Sequence, residues 1–190
     1  MQQLLNNISQ CTLCKDVLPH EPRPVLQANE KSKIVIIGQA PGSKVQLSGV
    51  PWQDQSGNTL RAWLGIDTNV FYNAEIFALL PMGFCYPGKG KSGDLPPRPE
   101  CAPLWHQQVW EKMQAVELTI LIGQYAQDYY LKSSKKMNLT ERVKNYELYL
   151  QDGFLPLPHP SPRNRFWLKK NLWFEQELLP VLKFRVNELC

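Results

Sequence analysis

The chain has 190 residues, of which 43% are hydrophobic and 20% are charged, with a net charge of +4 at pH 7. This composition excludes a disordered or collagen-like chain, and apolar runs such as Ile34–Ile37 are far too short to span a membrane. Because the N-terminal residues lack the basic stretch and apolar core of a signal peptide, we expect a soluble, cytoplasmic protein. The length favours a single domain over residues 1–190.

The predicted elements alternate between buried strands and amphipathic helices. In chain order, the first half contains a strand over 33–38, a helix over 56–65 with Ser56 as N-cap, a strand over 75–81 and a helix over 99–115 beginning at Pro99. The second half contains a strand over 118–123, a helix over 124–132, a proline-containing strand over 153–160 and a helix from about Phe166 that should end or kink near Pro180. Residues 133–150 are compatible with a loop and a strand pair, and their pattern leaves this open.

Strands that are predicted to be buried on both faces, with helices between them, are typical of an α/β protein. Such strands form a mostly parallel sheet that helices cover on both sides. No internal repeat and no linker-like stretch divides the chain. The sequence therefore predicts one α/β fold built around a central sheet.

Two stiff turns follow predicted strands and indicate where a ligand would bind. The segment GQAPG (38–42) follows the first strand, and HPSPRN (159–164) follows the last one. Glycine and proline restrict both turns to a few conformations, so each can place backbone amides and polar side chains accurately. Because ligands of open α/β sheets bind at the carboxyl ends of the strands, we expect both turns to line one cleft.

Trp52 follows a Gly-x-Pro turn, which favours a ring at the cleft rather than in the core. A flat indole in that position is a stacking platform for a planar heterocycle. The alternative is an ordinary core or surface tryptophan.

Basic residues occur in three separate segments, which could converge on one face or remain solvated loops. These segments contain Lys89 and Lys91; Lys132, Lys135 and Lys136; and Arg163, Arg165, Lys169 and Lys170.

Four cysteines indicate a metal site. Cys11 and Cys14 form a C-x₂-C pair, and Cys85 and Cys101 lie much later in the chain. Four thiolates suit either one zinc ion or a [4Fe–4S] cluster, and the spacing does not choose between them. A disulfide framework is not expected without a secretory signal, and the remaining alternative is four unrelated reduced thiols.

Together these segments resemble the uracil-DNA glycosylase superfamily. The residues that carry the resemblance are GQAPG, GVPW followed by SGNTL, HPSPRN and the four cysteines, between Cys11 and about Leu172. The cysteine arrangement is similar to the iron–sulfur-containing branch, whereas HPSPRN is closer to the second motif of the single-strand-selective branch. The resemblance implies a three-layer α/β/α sandwich and favours a [4Fe–4S] cluster held by Cys11, Cys14, Cys85 and Cys101 over zinc.

The resemblance also implies roles in base flipping and cleavage. His159 matches the family histidine that hydrogen-bonds the base oxygen while negative charge develops there, and Trp52 matches the aromatic residue that stacks on the flipped base. Backbone amides of Gly38, Gln39 and Ala40 would bind the base. Gln39 stands where the iron–sulfur branch usually has a glutamate, and Asp54 is the nearest acid, so both are catalytic candidates.

The remaining matched residues are expected to hold DNA. Ser161 and the backbone at Pro160 would grip phosphates, Arg163 would bind phosphate or enter the gap in the duplex, and Gly42 and Asn164 complete the set.

The implied function is DNA repair by hydrolysis of the N-glycosidic bond of uracil or another deaminated base, in single-stranded or mismatched DNA. No membrane or protein partner is predicted. The chain departs from the family at Gln39 and in having no asparagine from Ala74 to Phe84, where the family reads the base. These departures favour an alternative, a weakly active or inactive DNA-binding homologue that keeps the cleft. A zinc-stabilised domain of unrelated function is a further alternative.

Overall fold

The computed structural model of the chain describes residues 1–134 and 136–190. The strands are β1 (Ile34–Ile37), β2 (Phe77–Leu79), β3 (Lys89–Gly90), β4 (Gly93–Asp94), β5 (Leu118–Ile122) and β6 (Phe154–Leu157). The first five helices are α1 (Gln2–Ser9), α2 (Ser43–Ser48), α3 (Gln55–Leu64), α4 (Thr68–Phe71) and α5 (Cys101–Trp110). They are followed by α6 (Gln124–Tyr130), α7 (Leu139–Lys144), α8 (Tyr146–Leu150), α9 (Arg165–Lys170) and α10 (Leu179–Leu189). Lys135, from the second basic segment, lies outside the described residues.

The central sheet is parallel, with the strand order β2-β1-β5-β6 within the described residues. The predicted strands all form, and each is shorter than its sequence pattern suggested. β1 lies between β2 and β5, and its four residues are fully buried. Its chain of β-branched residues is therefore covered on both faces, as the sequence predicted.

Helices cover both faces of this sheet, which confirms the predicted α/β class. Side chains of a strand point alternately to opposite faces. Ile34 and Ile36 accordingly join a core with residues of α3 and α10, whereas Val35 and Ile37 join a second core with residues of α1, α5 and α6. None of the helices in the described part of the chain is long and apolar enough to cross a membrane.

The proline in β6, the last predicted strand, is accommodated because β6 lies at an edge of the sheet. Pro156 is aligned with Leu121 of β5 and needs no partner on its other side. An edge strand can lack one N–H donor without breaking a ladder between two neighbours.

Several helix boundaries differ from the prediction, among them those of α3 and α5. Asp54, not Ser56, is the N-cap of α3, because its Oδ1 accepts a hydrogen bond from the Gly57 N–H at 2.8 Å. α5 begins at Cys101 rather than Pro99 and ends at Trp110 rather than Ala115. The error in α3 arises because two residues that can cap a helix, Asp54 and Ser56, lie close together, and local propensity does not rank them.

The interpretation of 133–150 as a loop and a strand pair is wrong, because α7 and α8 occupy most of this segment. Asn138 and Glu141 form a reciprocal capping box that starts α7. Val143 and Leu150 then pack against the core that contains Ile34 and Ile36. Short helices of this kind depend on tertiary packing more than on their own propensity.

The predicted helix from about Phe166, expected to end or kink near Pro180, is not one continuous helix, because α9 ends at Lys170. A π-helical segment over Phe174–Leu178 follows and continues as α10 to Leu189, so the chain stays helical past Pro180, which lies in the first turn of α10. Proline is tolerated there because the first N–H groups of a helix have no partner within it.

Candidate functional site

A cavity of about 450 Å³ opens at the carboxyl ends of β1 and β6. Its walls come from the turn after β1, the loop that carries Trp52, the segment after β6 and the hairpin formed by β3 and β4. This is the edge of an α/β sheet at which ligands bind, and the volume is within the range of small-molecule sites, roughly 300–1,000 Å³.

Most residues that the sequence singled out as catalytic, base-binding or DNA-binding line this cavity. They are Gly38, Gln39, Ala40, Gly42, Trp52, Asp54, His159, Ser161, Arg163 and Asn164. Pro160 is buried in the turn and is not among the lining residues. The two stiff turns therefore do share one cleft.

Trp52 is held in an unusual backbone conformation that turns its ring into the cavity. Its φ is +57°, the one positive value among the described non-glycine residues. Its carbonyl oxygen accepts a hydrogen bond from Arg61 Nη1 at 3.4 Å and lies so near the first turn of α3 that a β-carbon at Gly57 would overlap it. Residues held in this region cost about 1–3 kcal/mol each and cluster at functional sites.

The indole ring of Trp52 is a direct neighbour of the imidazole of His159 on the cavity wall. Their ring centroids are 5.8 Å apart, and the planes are inclined by 31°. The indole also contacts Gly38, where a β-carbon would be 2.8 Å from Cζ2. Gly38 is thus a glycine because the ring occupies the space of a side chain.

The tautomer of His159 follows from its hydrogen bond. The Ser161 backbone N–H donates to Nδ1 at 3.2 Å, so Nδ1 is an acceptor and Nε2 carries the proton. Burial lowers the pKa of His159, and the charges of Asp54 and Asp94 oppose this shift in part. The imidazole is therefore neutral at pH 7 and has an Nε2–H with which to donate to an acceptor in the cavity.

The two catalytic candidates besides His159 both make structural hydrogen bonds. Gln39 Nε2 donates to the Leu95 carbonyl oxygen at 3.0 Å, which ties the turn after β1 to the hairpin. Asp54 caps α3 through Gly57 while also lining the cavity. Each side chain therefore has one of its two polar atoms engaged in a structural hydrogen bond.

The β3–β4 hairpin brings in a site residue that the sequence reasoning missed. Asp94 lines the cavity together with Ser92 and Gly93. Arg163 Nη1 donates to the Ser92 carbonyl oxygen at 3.0 Å, so the guanidinium lies against the hairpin instead of projecting freely. The available signal was an isolated acid in the otherwise basic GKGKSGD segment.

The basic segments are partly brought to this site. Lys89 is aligned with Asp94 in the hairpin, and Arg163 lies on the cavity wall. Lys89 and Lys91 are exposed beside the opening.

A buried histidine supports the wall of the cavity from behind. His106 Nε2 lies 3.0 Å from the Pro81 carbonyl oxygen, and Nδ1 lies 2.6 Å from the hydroxyl of Tyr130. Because a carbonyl can only accept, Nε2 carries the proton and the Tyr130 hydroxyl donates to Nδ1. Burial lowers the pKa of His106 to about 4, which is consistent with a structural, uncharged histidine.

The four predicted metal ligands converge on a second, much smaller cavity of about 20 Å³. Cys11, Cys14, Cys85 and Cys101 all line it, with apolar walls from neighbours such as Trp105. Burial raises the pKa of Cys85 to about 11 and that of Cys101 to about 12, and it also raises the pKa of Cys14. Thiols this far inside need a cation before they ionise at neutral pH.

The donor set of this second cavity fits a thiolate-bound group. Phe84 N–H donates to Cys101 Sγ at 3.3 Å, a bond of the kind that stabilises ligating thiolates. In the part of the chain that the structure describes, no three His, Cys, Asp or Glu side chains are arranged to hold a single metal ion. The four cysteines nevertheless line one cavity.

Comparison with protein-family models finds a match to the Uracil DNA glycosylase superfamily over residues 26–183. The matched range contains β1 to β6, the 450 Å³ cavity and two of the four thiols. Cys11 and Cys14 precede it.

Proposed function

The chain belongs to the Uracil DNA glycosylase superfamily, and from this membership we propose that it hydrolyses the N-glycosidic bond of uracil or another deaminated base in DNA. The observation that carries the proposal is that Trp52 and His159 lie side by side on the wall of one cavity, with 5.8 Å between ring centroids. One ring offers a face on which a flipped base can stack, and the other offers a hydrogen-bond donor.

His159 is the residue that stabilises the leaving base. Cleavage leaves the bonding electrons on the base, so negative charge grows on its oxygen as the sugar becomes cationic. The neutral imidazole donates from Nε2, and the Ser161 N–H at Nδ1 keeps the tautomer in place before the substrate arrives. A donor fixed in advance costs no reorganisation when the charge appears.

The deaminated base is selected mainly by shape and backbone groups. Pro81 stands on the cavity wall after β2, near where the family's base-reading asparagine would be. Asn73 lies before the amino end of β2, at the opposite edge of the sheet. With no amide side chain at the reading position, we expect tolerance of several deaminated bases.

DNA is held at the rim by basic and polar groups. Arg163 and Ser161 line the cavity, and the exposed Lys89 and Lys91 belong to the hairpin that forms one of its walls. All four suit phosphate contacts. An unpaired or mispaired base costs less to flip out of the stack than a correctly paired base does. Single-stranded or mismatched DNA is therefore the preferred substrate.

The thiol cavity holds a [4Fe–4S] cluster in this proposal. Four thiols around one apolar cavity and the N–H bond to Cys101 Sγ suit a thiolate-bound group, and the similarity of the cysteine arrangement to the iron–sulfur-containing branch favours a cluster over zinc. A cluster held there would tie Cys11 and Cys14 to the ends of the segment 85–101, which contains the hairpin. Its role would be structural.

A second candidate function is DNA binding without cleavage. The observation in its favour is that Gln39 and Asp54 are both engaged in structural hydrogen bonds. This alternative predicts salt-dependent binding, no base release and no effect of removing the His159 ring.

The test is base release from a single-stranded oligonucleotide that contains one uracil, with abasic sites cut by alkali and protein purified without oxygen. We expect His159→Ala to slow cleavage by roughly 10²–10³-fold. His159→Gln keeps an N–H donor and should retain more activity. The proposed role of His159 is wrong if the alanine variant cleaves at the wild-type rate, and absence of cleavage by well-bound wild-type protein would favour the binding-only alternative.

A further inference from the structure

The β3–β4 hairpin carries a carboxylate to the rim of the cavity. Asp94 lines the cavity and is exposed to solvent. Its Oδ1 accepts a hydrogen bond from the Tyr86 hydroxyl at 3.4 Å, and its Oδ2 would be 3.7 Å from a β-carbon placed on Gly42. The Asp94 carboxylate therefore lies close to the GQAPG turn (38–42), although it comes from the hairpin.

The hairpin is fastened to both turns that form the site. Gln39 Nε2 donates to the Leu95 carbonyl oxygen at 3.0 Å, and Arg163 Nη1 donates to the Ser92 carbonyl oxygen at 3.0 Å. These two bonds are made to residues on either side of Asp94. The position of its backbone is thus set by the same turns that carry the base-binding groups.

Asp94 differs from the other acid of the cavity in what its oxygens do. Asp54 caps α3, because its Oδ1 accepts a hydrogen bond from the Gly57 N–H at 2.8 Å. In the described residues, Asp94 is in no ion pair and has only the long bond from Tyr86. It therefore keeps lone pairs available for a water molecule.

The depth of each group indicates which part of a nucleotide it meets. A flipped nucleotide enters base first, so the base reaches the inner groups, Trp52 and His159, and the sugar stays at the rim. Asp94 is one of the exposed rim residues. A carboxylate there faces the sugar and its attacking water more readily than the base.

We propose that Asp94 positions the water that attacks the sugar and accepts its proton, an inference that rests on the glycosylase function proposed above. The bond between C1′ and the base nitrogen breaks, and its electron pair leaves with the base. The water oxygen bonds to C1′, and its proton passes to the Asp94 carboxylate. That proton then returns through solvent to the departed base, which leaves an abasic sugar and a neutral base.

The experiment measures single-turnover uracil release from a single-stranded oligonucleotide by Asp94→Asn and by Asp152→Asn, a matched control on an exposed turn. We expect about 100-fold slower cleavage by Asp94→Asn and a wild-type rate for the control. Binding to an oligonucleotide with a stable abasic analogue should be at least as tight in Asp94→Asn, because one negative charge is removed. Added formate should restore part of the rate to Asp94→Ala, an effect that a purely structural role would not produce.

Each outcome decides between the two proposals. Rates of Asp94→Asn within about threefold of the control, with no response of Asp94→Ala to formate, would overturn the role of Asp94 while leaving the glycosylase function in place. If the wild-type protein binds the oligonucleotide but releases no base, the glycosylase function fails, and the role of Asp94 fails with it.

Discussion

The indole of Trp52 occupies the place where a side chain on Gly38 would be, with 2.8 Å between Cζ2 and a β-carbon built on that glycine. The same indole is held at a φ of +57° and faces His159. The stacking surface of the site thus depends on one residue without a side chain and one with a strained backbone. The close contact of Trp52 with Gly38 therefore needs both residues, the glycine and the strained tryptophan.

We expect Gly38→Ala to displace the Trp52 ring and lower base release by at least about tenfold, since small misplacements in an active site cost this much or more. Overpacking of this kind also costs about 1–3 kcal/mol of stability. The measurements are single-turnover cleavage and chemical denaturation. In a Trp52→Phe background the added methyl group meets a smaller ring, so the further loss from Gly38→Ala should be smaller. Equal losses in both backgrounds would contradict the proposed contact.

Asp54 contributes to stability as the N-cap of α3. Its replacement by alanine should lower the free energy of unfolding by about 1 kcal/mol, and replacement by asparagine should restore most of it. Asp67 caps α4 in the same way, accepting from the Val70 N–H at 2.9 Å, and does not line the cavity. Asp67→Ala is therefore the matched control.

Comparison of Asp54→Ala with Asp67→Ala separates the effect of a lost helix cap on stability from an effect on cleavage. Thermal unfolding and cleavage are measured for both alanine variants and for Asp54→Asn. Because Asp54 is already committed to the cap, we expect Asp54→Asn to be stable and to lose less activity than Asp94→Asn. A larger loss in Asp54→Asn would make Asp54 the principal acid of the site.

Stability should fall as the solution becomes acidic, because burial holds the pKa of His106 at about 4, below the ordinary histidine value of 6.5. The unfolded chain then binds a proton that the folded protein excludes. This contribution is fully present above pH 6.5, declines as the pH falls, and is lost through about pH 4, with a total of about 3 kcal/mol. His159, whose pKa is also lowered, acts in the same direction.

Urea denaturation between pH 4 and 7.5 measures this slope. His106→Gln removes the titrating group, so its stability should depend less on pH over this range. An unchanged slope in the variant would assign the effect to other groups.

The thiol cavity should contain iron and acid-labile sulfide when the protein is purified without oxygen. Serine at Cys85 or Cys101 should remove the brown colour and lower the melting temperature, because ligand binding to the folded state contributes to stability. Cys190 is exposed and lies outside this cavity, so Cys190→Ser is the control. Stoichiometric zinc in place of iron would reverse the choice of metal.

The position of the cleft could be predicted because it follows from local pattern and topology. A run such as Ile34–Ile37 is apolar enough to require burial on both faces, which leads to parallel pairing. The carboxyl ends of parallel strands meet at one edge, so the turns 38–42 and 159–164 are expected to lie together. The cysteines could be grouped for a similar reason, since a C-x₂-C pair needs distant partners.

Other features depended on neighbours that are remote in sequence. Residues 133–150 form helices because Val143 and Leu150 find apolar partners on the sheet, a gain that a local window does not contain. Asp94 is held at the cavity by hydrogen bonds that Gln39 and Arg163 donate to residues on either side of it. These two donors are far apart in the sequence. The pattern of GKGKSGD alone indicates only a basic turn.

The sequence by itself determined the α/β class, the strands and the two turns at the sheet edge, because hydrophobic period and turn chemistry act over a few residues. Only the tertiary structure decided the left-handed backbone of Trp52, the proton position on His159 and the placement of Asp94 at the rim. Those depend on atoms that are close in space and far apart along the chain: the ring against Gly38, and the hairpin tied to both turns. Contacts of this kind have no local signature, since their energy appears only when the chain has folded.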